Sequence, residues 1–257
     1  MAEPSTLREL QGEHRPAPRS RLSKPAGEAD EHSAVRNYVR DLILGFNDGL
    51  VSVYAIVAGV VGAGLATQQT LIAGLAAAVA GALSMGLGEY ISTKSQTEYY
   101  QNEAQRERDH IRKYPKLERE ELLEMLEKKD YPPALVAPIA DHIIADEDRF
   151  VDFMMREEFG VGQESERSPF IAMGLVMLAF VVGAVLPLIP FFFGVPTITG
   201  LWIASALSLA GLFAAGSVKA VTSGLKPWKS GFEMTALGAA AAVVTYGVGL
   251  LFGVAVA

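Results

Sequence analysis

Apolar residues in this chain gather into five long runs. They are Leu42–Leu65, Leu71–Ile91, Phe170–Phe193, Thr197–Val218 and Phe232–Val256. Each holds about 20 or more residues, and at ~1.5 Å rise per residue a helix of that length crosses a ~30 Å hydrocarbon core. The pattern predicts an all-α polytopic membrane protein with five transmembrane helices. A charged block, Lys94–Arg167, stands between the second and third runs. The divisions that follow are a disordered, Pro- and Arg-rich tail over 1–34, spans one and two over 35–93, a helical domain over 94–167, and spans three to five over 168–257. The tail has no apolar stretch of the kind a signal peptide carries.

The charged block reads as several helices. From Ser92 to Arg112 there is neither proline nor glycine, so the second span is expected to run straight out of the membrane and end near Tyr114, before Pro115. Lys116–Lys129 reads as the next helix, with Leu117, Leu122, Leu123 and Leu126 on its apolar face. Pro132 and Pro133 break it, Ala134–Ala145 and Glu147–Phe159 follow, and Gly160 and Gly162 end the last. Pro187 and Pro190 are expected to distort the far end of the third span.

Charge placement orients the chain. The connections around Ala66–Thr70 and Gly194–Pro196 carry no charge, nor does the C-terminal end. Every Lys and Arg falls before the first run, in the 94–167 block, or in Lys219–Lys229. Five spans put those three segments on one side, which the positive-inside rule makes the cytoplasm. The small-residue pairs Gly45/Gly49 and Gly249/Gly253, and the cluster Gly81, Ala82, Gly86 and Gly88, read as close helix packing.

Composition removes several classes of function. The absence of cysteine excludes disulfides, thiolate metal sites and cysteine nucleophiles. A net charge of −7 argues against nucleic acid as a partner. There is no phosphate-binding glycine loop, no nucleophile elbow and no His-x-x-x-His pair, so the chain is not expected to be an enzyme or to need a cofactor. Without a nucleotide site, uphill transport would run on an ion gradient.

A few residues stand out against this background. Asp48 lies well inside the first run, where a carboxylate costs roughly 2.5–3.5 kcal/mol to insert and calls for a partner, water or a cation. Met85 lies mid-way along the second run among glycines, and its thioether is a soft ligand for transition metals. Glu89, one turn on, either extends a polar path or sits at the interface. In the charged block Glu103, Glu107 and His110 share one helical face at i, i+4 and i+7. Glu118 and Glu121 follow on the next helix, and Met154, Met155 and Glu158 cluster on the last. Carboxylates converging from several helices make an oxygen-rich cation site, whereas the plain alternative is a solvated acidic face.

Three stretches carry a resemblance. Arg40-Asp41-Leu-Ile-Leu-Gly-Phe-Asn-Asp48-Gly-Leu, Ala82-Leu-Ser-Met85-Gly-Leu-Gly-Glu-Tyr and Phe153-Met-Met-Arg-Glu-Glu158 resemble the vacuolar iron transporter family, over about Val35 to the C-terminus. The resemblance implies a homodimer with the pathway between subunits, moving Fe²⁺ (in some members Mn²⁺ or other divalent ions) out of the cytoplasm in exchange for protons. By position it makes Asp48 and Met85 transport-site residues, and Glu107, Glu118, Glu121, Met154, Met155 and Glu158 cytoplasmic metal ligands. Two positions depart from it. His110 stands where members often have glutamate, and its imidazole also suits Fe²⁺, Mn²⁺ or Zn²⁺, with Asp109 as the alternative. Ala77 stands near the place of an acid in plant-type members, which leaves Glu89 as the candidate carboxylate from another level. The expected function is a proton-coupled divalent-metal exporter in a vacuolar or bacterial plasma membrane, with the N-terminus and 94–167 cytoplasmic. The rivals are an Mn²⁺-selective exporter of the same architecture and a membrane-anchored metal sensor or buffer.

Overall fold

A computed structural model of the chain describes residues 26–159, 167–222, 224 and 226–256. Among the described residues there are eight helices and no strands. They are α1 (Ala26–Gly62), α2 (Thr67–Lys113), α3 (Pro115–Lys128), α4 (Pro133–Ile144), α5 (Glu147–Phe159), α6 (Pro169–Phe192), α7 (Thr197–Thr222) and α8 (Pro227–Val256). Five of them, α1, α2, α6, α7 and α8, are long and apolar enough to cross a membrane. Gly160 and Gly162, expected to end α5, lie outside the described residues.

The α2 helix settles one expectation directly. It is a single rod of 47 residues, about 70 Å long at 1.5 Å per residue and more than twice a hydrocarbon core. Its apolar first half belongs with the spans, and its polar second half projects beyond them. Tyr114 closes it by donating its N–H to the His110 carbonyl at 2.7 Å, and Pro115 occupies the first turn of α3, where a missing N–H costs nothing.

The spans pack through backbone contact. A Cβ placed at Gly49 would overlap the Phe180 carbonyl of α6, and one at Gly183 would overlap the Phe46 carbonyl of α1. The α1–α8 crossing repeats this, with Gly249 against the Gly59 carbonyl and Gly253 against Ala63. The glycine pairs thus let α1 lie directly on α6 and on α8, as small residues do in lipid where no hydrophobic force draws helices together. Phe180, Leu188, Phe191, Val53, Val57 and Val61 fill the space between. Tyr54 of α1 donates to Ser205 of α7 at 2.9 Å.

Both uncharged connections turn on a glycine in the left-handed region, Gly64 (φ 79°) and Gly194 (φ 66°). They touch one another: the Thr67 hydroxyl donates to the Val195 carbonyl at 3.1 Å and lies 3.0 Å from that of Thr197. The two loops therefore share one end of the bundle, as an alternating topology requires.

The polar end of α2 packs with α3, α4 and α5 around a separate core of Leu122, Leu126, Val136, Ala140, Ile143, Phe150 and Met154. Ion pairs clip the helices together. Arg112 meets Glu147 at 2.8 Å, Arg108 meets Asp148 at 2.6 Å, Arg119 meets Asp141 at 2.9 Å and Lys129 meets Glu157 at 2.8 Å.

Several expectations are corrected. Residues 26–34, assigned to the tail, form the start of α1. Leu117, assigned to the apolar face of α3, is exposed, because five and nine residues before Leu122 and Leu126 it lies on the opposite side of the helix from that buried pair. Pro187 and Pro190, expected to distort the far end of the third span, lie inside α6, which runs to Phe192 with both rings buried. The basic connection Lys219–Lys229 is largely helical, its ends belonging to α7 and α8.

Candidate metal and transport sites

Outside the bundle, one face of the α2 extension meets α3 and α5 around a cavity of about 430 Å³. Its walls are Glu103, Arg106, Glu107 and His110 from α2, Glu118 and Glu121 from α3, and Glu158 from α5. Six of the eight residues expected to bind metal therefore converge. Five are carboxyls, facing one guanidinium that is already engaged, since Arg106 pairs with Glu103 at 2.8 Å. The helical spacing of Glu103, Glu107 and His110 explains the α2 wall, and the sharp turn at Tyr114–Pro115 brings Glu118 back over it.

Burial makes these carboxyls expensive to ionise. Glu107 is 7% exposed and Glu118 is 3% exposed. Loss of water, followed by the charges of Glu118, Glu158 and Glu121, pushes the Glu107 carboxyl up to about 7. A hydrogen bond with Glu118 also favours keeping a proton on Glu107. Burial first, and Glu121 next, raise Glu118, while His110 opposes the rise with its Nδ1 at 3.8 Å. Glu158 is raised by burial and by Glu121. The Oε1 atom of Glu107 is buried with no partner. Such a cluster is relieved by protons or by a divalent cation, and oxygen donors with one imidazole suit Fe²⁺, Mn²⁺ or Zn²⁺. Among the described residues no three acidic or histidine groups are already drawn tightly enough to enclose an ion, so binding would contract the cavity.

The methionines stand apart from this wall. Met154 is fully buried in the core of the block, and Met155 is 7% exposed. Neither lines the cavity, whereas Glu158, one turn on, does.

In the bundle, Asp48 lies on an exposed face of α1, with the Ser52 hydroxyl at 3.5 Å. In the single chain Asp48 is exposed, whereas its neighbours Gly49 and Leu50 are buried, Gly49 against Phe180 of α6 and Leu50 against Gly183 of α6 and Gly211 of α7. Met85 on α2 is half-buried against the bundle core. Glu89 is half-buried and accepts a hydrogen bond from Thr93 at 3.0 Å.

One charged pair in the bundle had not been singled out. Asp41 of α1 is 1% exposed and is bound by Arg167, the residue that leads into α6. The partners are far apart in sequence, so periodicity cannot pair them. The available signal was a lone acid at the start of a span, matched by a lone arginine before another.

The fold and its sites define a polytopic helical membrane protein with an acidic cavity outside its bundle and a carboxylate on the bundle's open face. Residues 39–250 match the model of the VIT family, and the chain belongs to that family. It is 35% identical to "Vacuolar iron transporter 2" of Oryza sativa subsp. japonica, over 85% of this chain and 89% of that protein. It is 33% identical to "Vacuolar iron transporter 1" of Arabidopsis thaliana, over 84% and 87%. It is 35% identical to "Vacuolar iron transporter" of Toxoplasma gondii, over 84% and 74%.

Proposed function

We propose that this protein is a proton-coupled exporter of divalent transition metal, with Fe²⁺ as the leading substrate, working as a homodimer. Family membership supports metal-ion transport. The observation that carries the finer reading is Asp48, a carboxylate on the exposed face of a helix that crosses the membrane. Hydrocarbon is a poor environment for that group, so a second protomer across the face would give it cover and turn it toward a shared pathway. Met85 would add a thioether from α2.

The carboxylate cavity would gather metal on the cytoplasmic side. Lys/Arg placement supports that sidedness. Met154 and Met155, one turn before Glu158 on α5, would add thioethers as the cavity closes on an ion. The α2 rod joins the two sites, since Met85 and Glu107 are 22 residues apart on one continuous helix, about 33 Å along its axis. Delivery of the ion on the far side would follow protonation of Asp48, and the membrane would be that of a vacuole or a cell.

The test is anaerobic Fe²⁺ flux into liposomes holding the purified protein, under an imposed pH gradient. Wild type is expected to move Fe²⁺ against a counterflow of protons, and Asp48→Ala and Met85→Ala to move far less. Protein that binds Fe²⁺ yet moves none under a gradient of either sign would be a sensor or buffer, and the transporter reading would fall.

A further inference from the structure

The buried pair Asp41–Arg167 is poorly satisfied for a structural ion pair. Asp41 Oδ2 accepts a hydrogen bond from the Arg167 guanidinium, but its Oδ1 accepts none, and the Nε of Arg167 donates none. Arg40 approaches Oδ1 only to 3.8 Å, with a side chain 69% exposed. The guanidinium, 13% exposed, lies over the Tyr38 ring at 5.2 Å. A second acid, Glu89 of α2, is close enough to repel Asp41. Asp41 thus binds one largely buried cation with a second acid near by, and a buried charge pair holds well only when its remaining lone pairs and protons are met. The site carries a buried carboxylate oxygen and a guanidinium N–H with no partner.

Its position matters as much as its chemistry. Asp41 lies seven residues before Asp48 on α1, and Glu89 lies four residues beyond Met85 on α2. At 1.5 Å per residue these are steps of about 10 Å and about 6 Å toward the end of the bundle where α2 leaves for the acidic cavity. An ion passing from the cavity to Asp48 would meet this level on the way.

We propose that Arg167 is a tethered surrogate cation. It occupies the cation position at Asp41, whose Oδ1 is unpartnered, with Glu89 near by, and a divalent metal ion entering the pathway displaces it. The inference rests on the transporter reading above. Arginine suits the role because it cannot lose its proton and so leaves only by exchange with another cation. Displacement frees the chain segment leading into α6, which couples arrival of the ion to movement of the helix against which α1 and α2 pack.

The experiment is the Fe²⁺ dependence of flux in proteoliposomes, with folding of each variant followed by gel filtration and thermal melting. Arg167→Gln is expected to lower the apparent KM about tenfold, the factor that ~1.4 kcal/mol of lost competition represents. Arg167→Lys keeps the charge and is expected to stay near wild type. Asp41→Asn strands an unpaired cation at the entry, and the KM is expected to rise about tenfold on the same scale. Adding Arg167→Gln to Asp41→Asn is expected to bring it back down.

That second comparison does not need the single Arg167→Gln variant to fold. A purely structural pair would change melting temperature and maximal rate but leave KM alike in Asp41→Asn and the double variant. Equal KM values there overturn the inference with the transporter reading intact, whereas absence of wild-type flux overturns both.

Discussion

Asp48 and Glu107 are carboxylates on two helices of the same bundle, yet their surroundings are opposite. Asp48 stands on an open face of α1 with one hydroxyl nearby. Glu107 is enclosed by three helices and by other acids, and its carboxyl is held up near neutrality. The bundle around Asp48 is packed by backbone contact through glycines, which leaves little room to rearrange. The block around Glu107 is held by a small side-chain core and by surface ion pairs, each worth about 0–1 kcal/mol. The contrast suggests a division of work. On the function proposed above, the rigid region would present one acid to be covered by a partner, and the softer region would contract around an ion.

The largest effect should come from deleting the lone acid. Asp48→Ala is expected to cut Fe²⁺ flux by roughly 100-fold or more, about 2.7 kcal/mol or more in the transport step. Metal binding measured by calorimetry on the same protein should persist, because the cavity lies elsewhere. Loss of both together would break the comparison, since the two regions would then be one site.

Next comes the cost of charge in the cavity. A carboxyl lifted from 4.5 to about 7 disfavours the ionised fold by about 3 kcal/mol. Glu107→Gln removes that cost. In metal-free protein at pH 8 the variant should melt higher than wild type, while its affinity for Fe²⁺ or Mn²⁺ falls about tenfold through loss of a buried oxygen ligand. A variant that melts lower with unchanged affinity would make Glu107 a packing residue.

The pH dependence follows from the same raised groups. Glu107, Glu118 and Glu158 all bind protons more tightly folded than unfolded. Their contribution to stability is complete below the unfolded value near 4.5 and is lost as pH rises through the folded values, about 7 for Glu107. Metal-free protein should therefore melt lower at pH 8 than at pH 6. Added Mn²⁺ should restore the loss at pH 8 and do little at pH 5.5, where protons hold the ligands. A melting temperature that climbs from pH 6 to pH 8 without metal would contradict the burial of these acids.

Much of this was legible in the sequence because it depends on local pattern. Apolar runs set the five spans, and the absence of proline or glycine from Ser92 to Arg112 foretold the single α2 rod. The i, i+4, i+7 spacing of Glu103, Glu107 and His110 placed one wall of the cavity. What could not be read depends on which face meets which neighbour. Asp48 is exposed because Gly49 and Leu50 take the buried side of α1. Asp41 finds Arg167 only once α1 and α6 lie together. Leu117 looked apolar enough for a core, but its spacing to Leu122 and Leu126 puts it on the opposite side of α3 from the buried pair.

The smallest effect, and the finest test of the softer region, concerns Met155. It is buried on α5 beside Glu158 but is not on the cavity wall. If the block contracts on metal, its sulfur becomes a ligand, and a thioether favours the softer ion. Met155→Leu preserves volume and apolarity, so the fold should lose less than about 1.5 kcal/mol. Affinity for Fe²⁺ should fall about threefold more than affinity for Mn²⁺, because the harder ion leans on the carboxylates alone. Parallel competition titrations of the two ions would show it. Equal losses for both would mean that Met155 only packs, and that the cavity binds as an all-oxygen and imidazole site without closing onto α5.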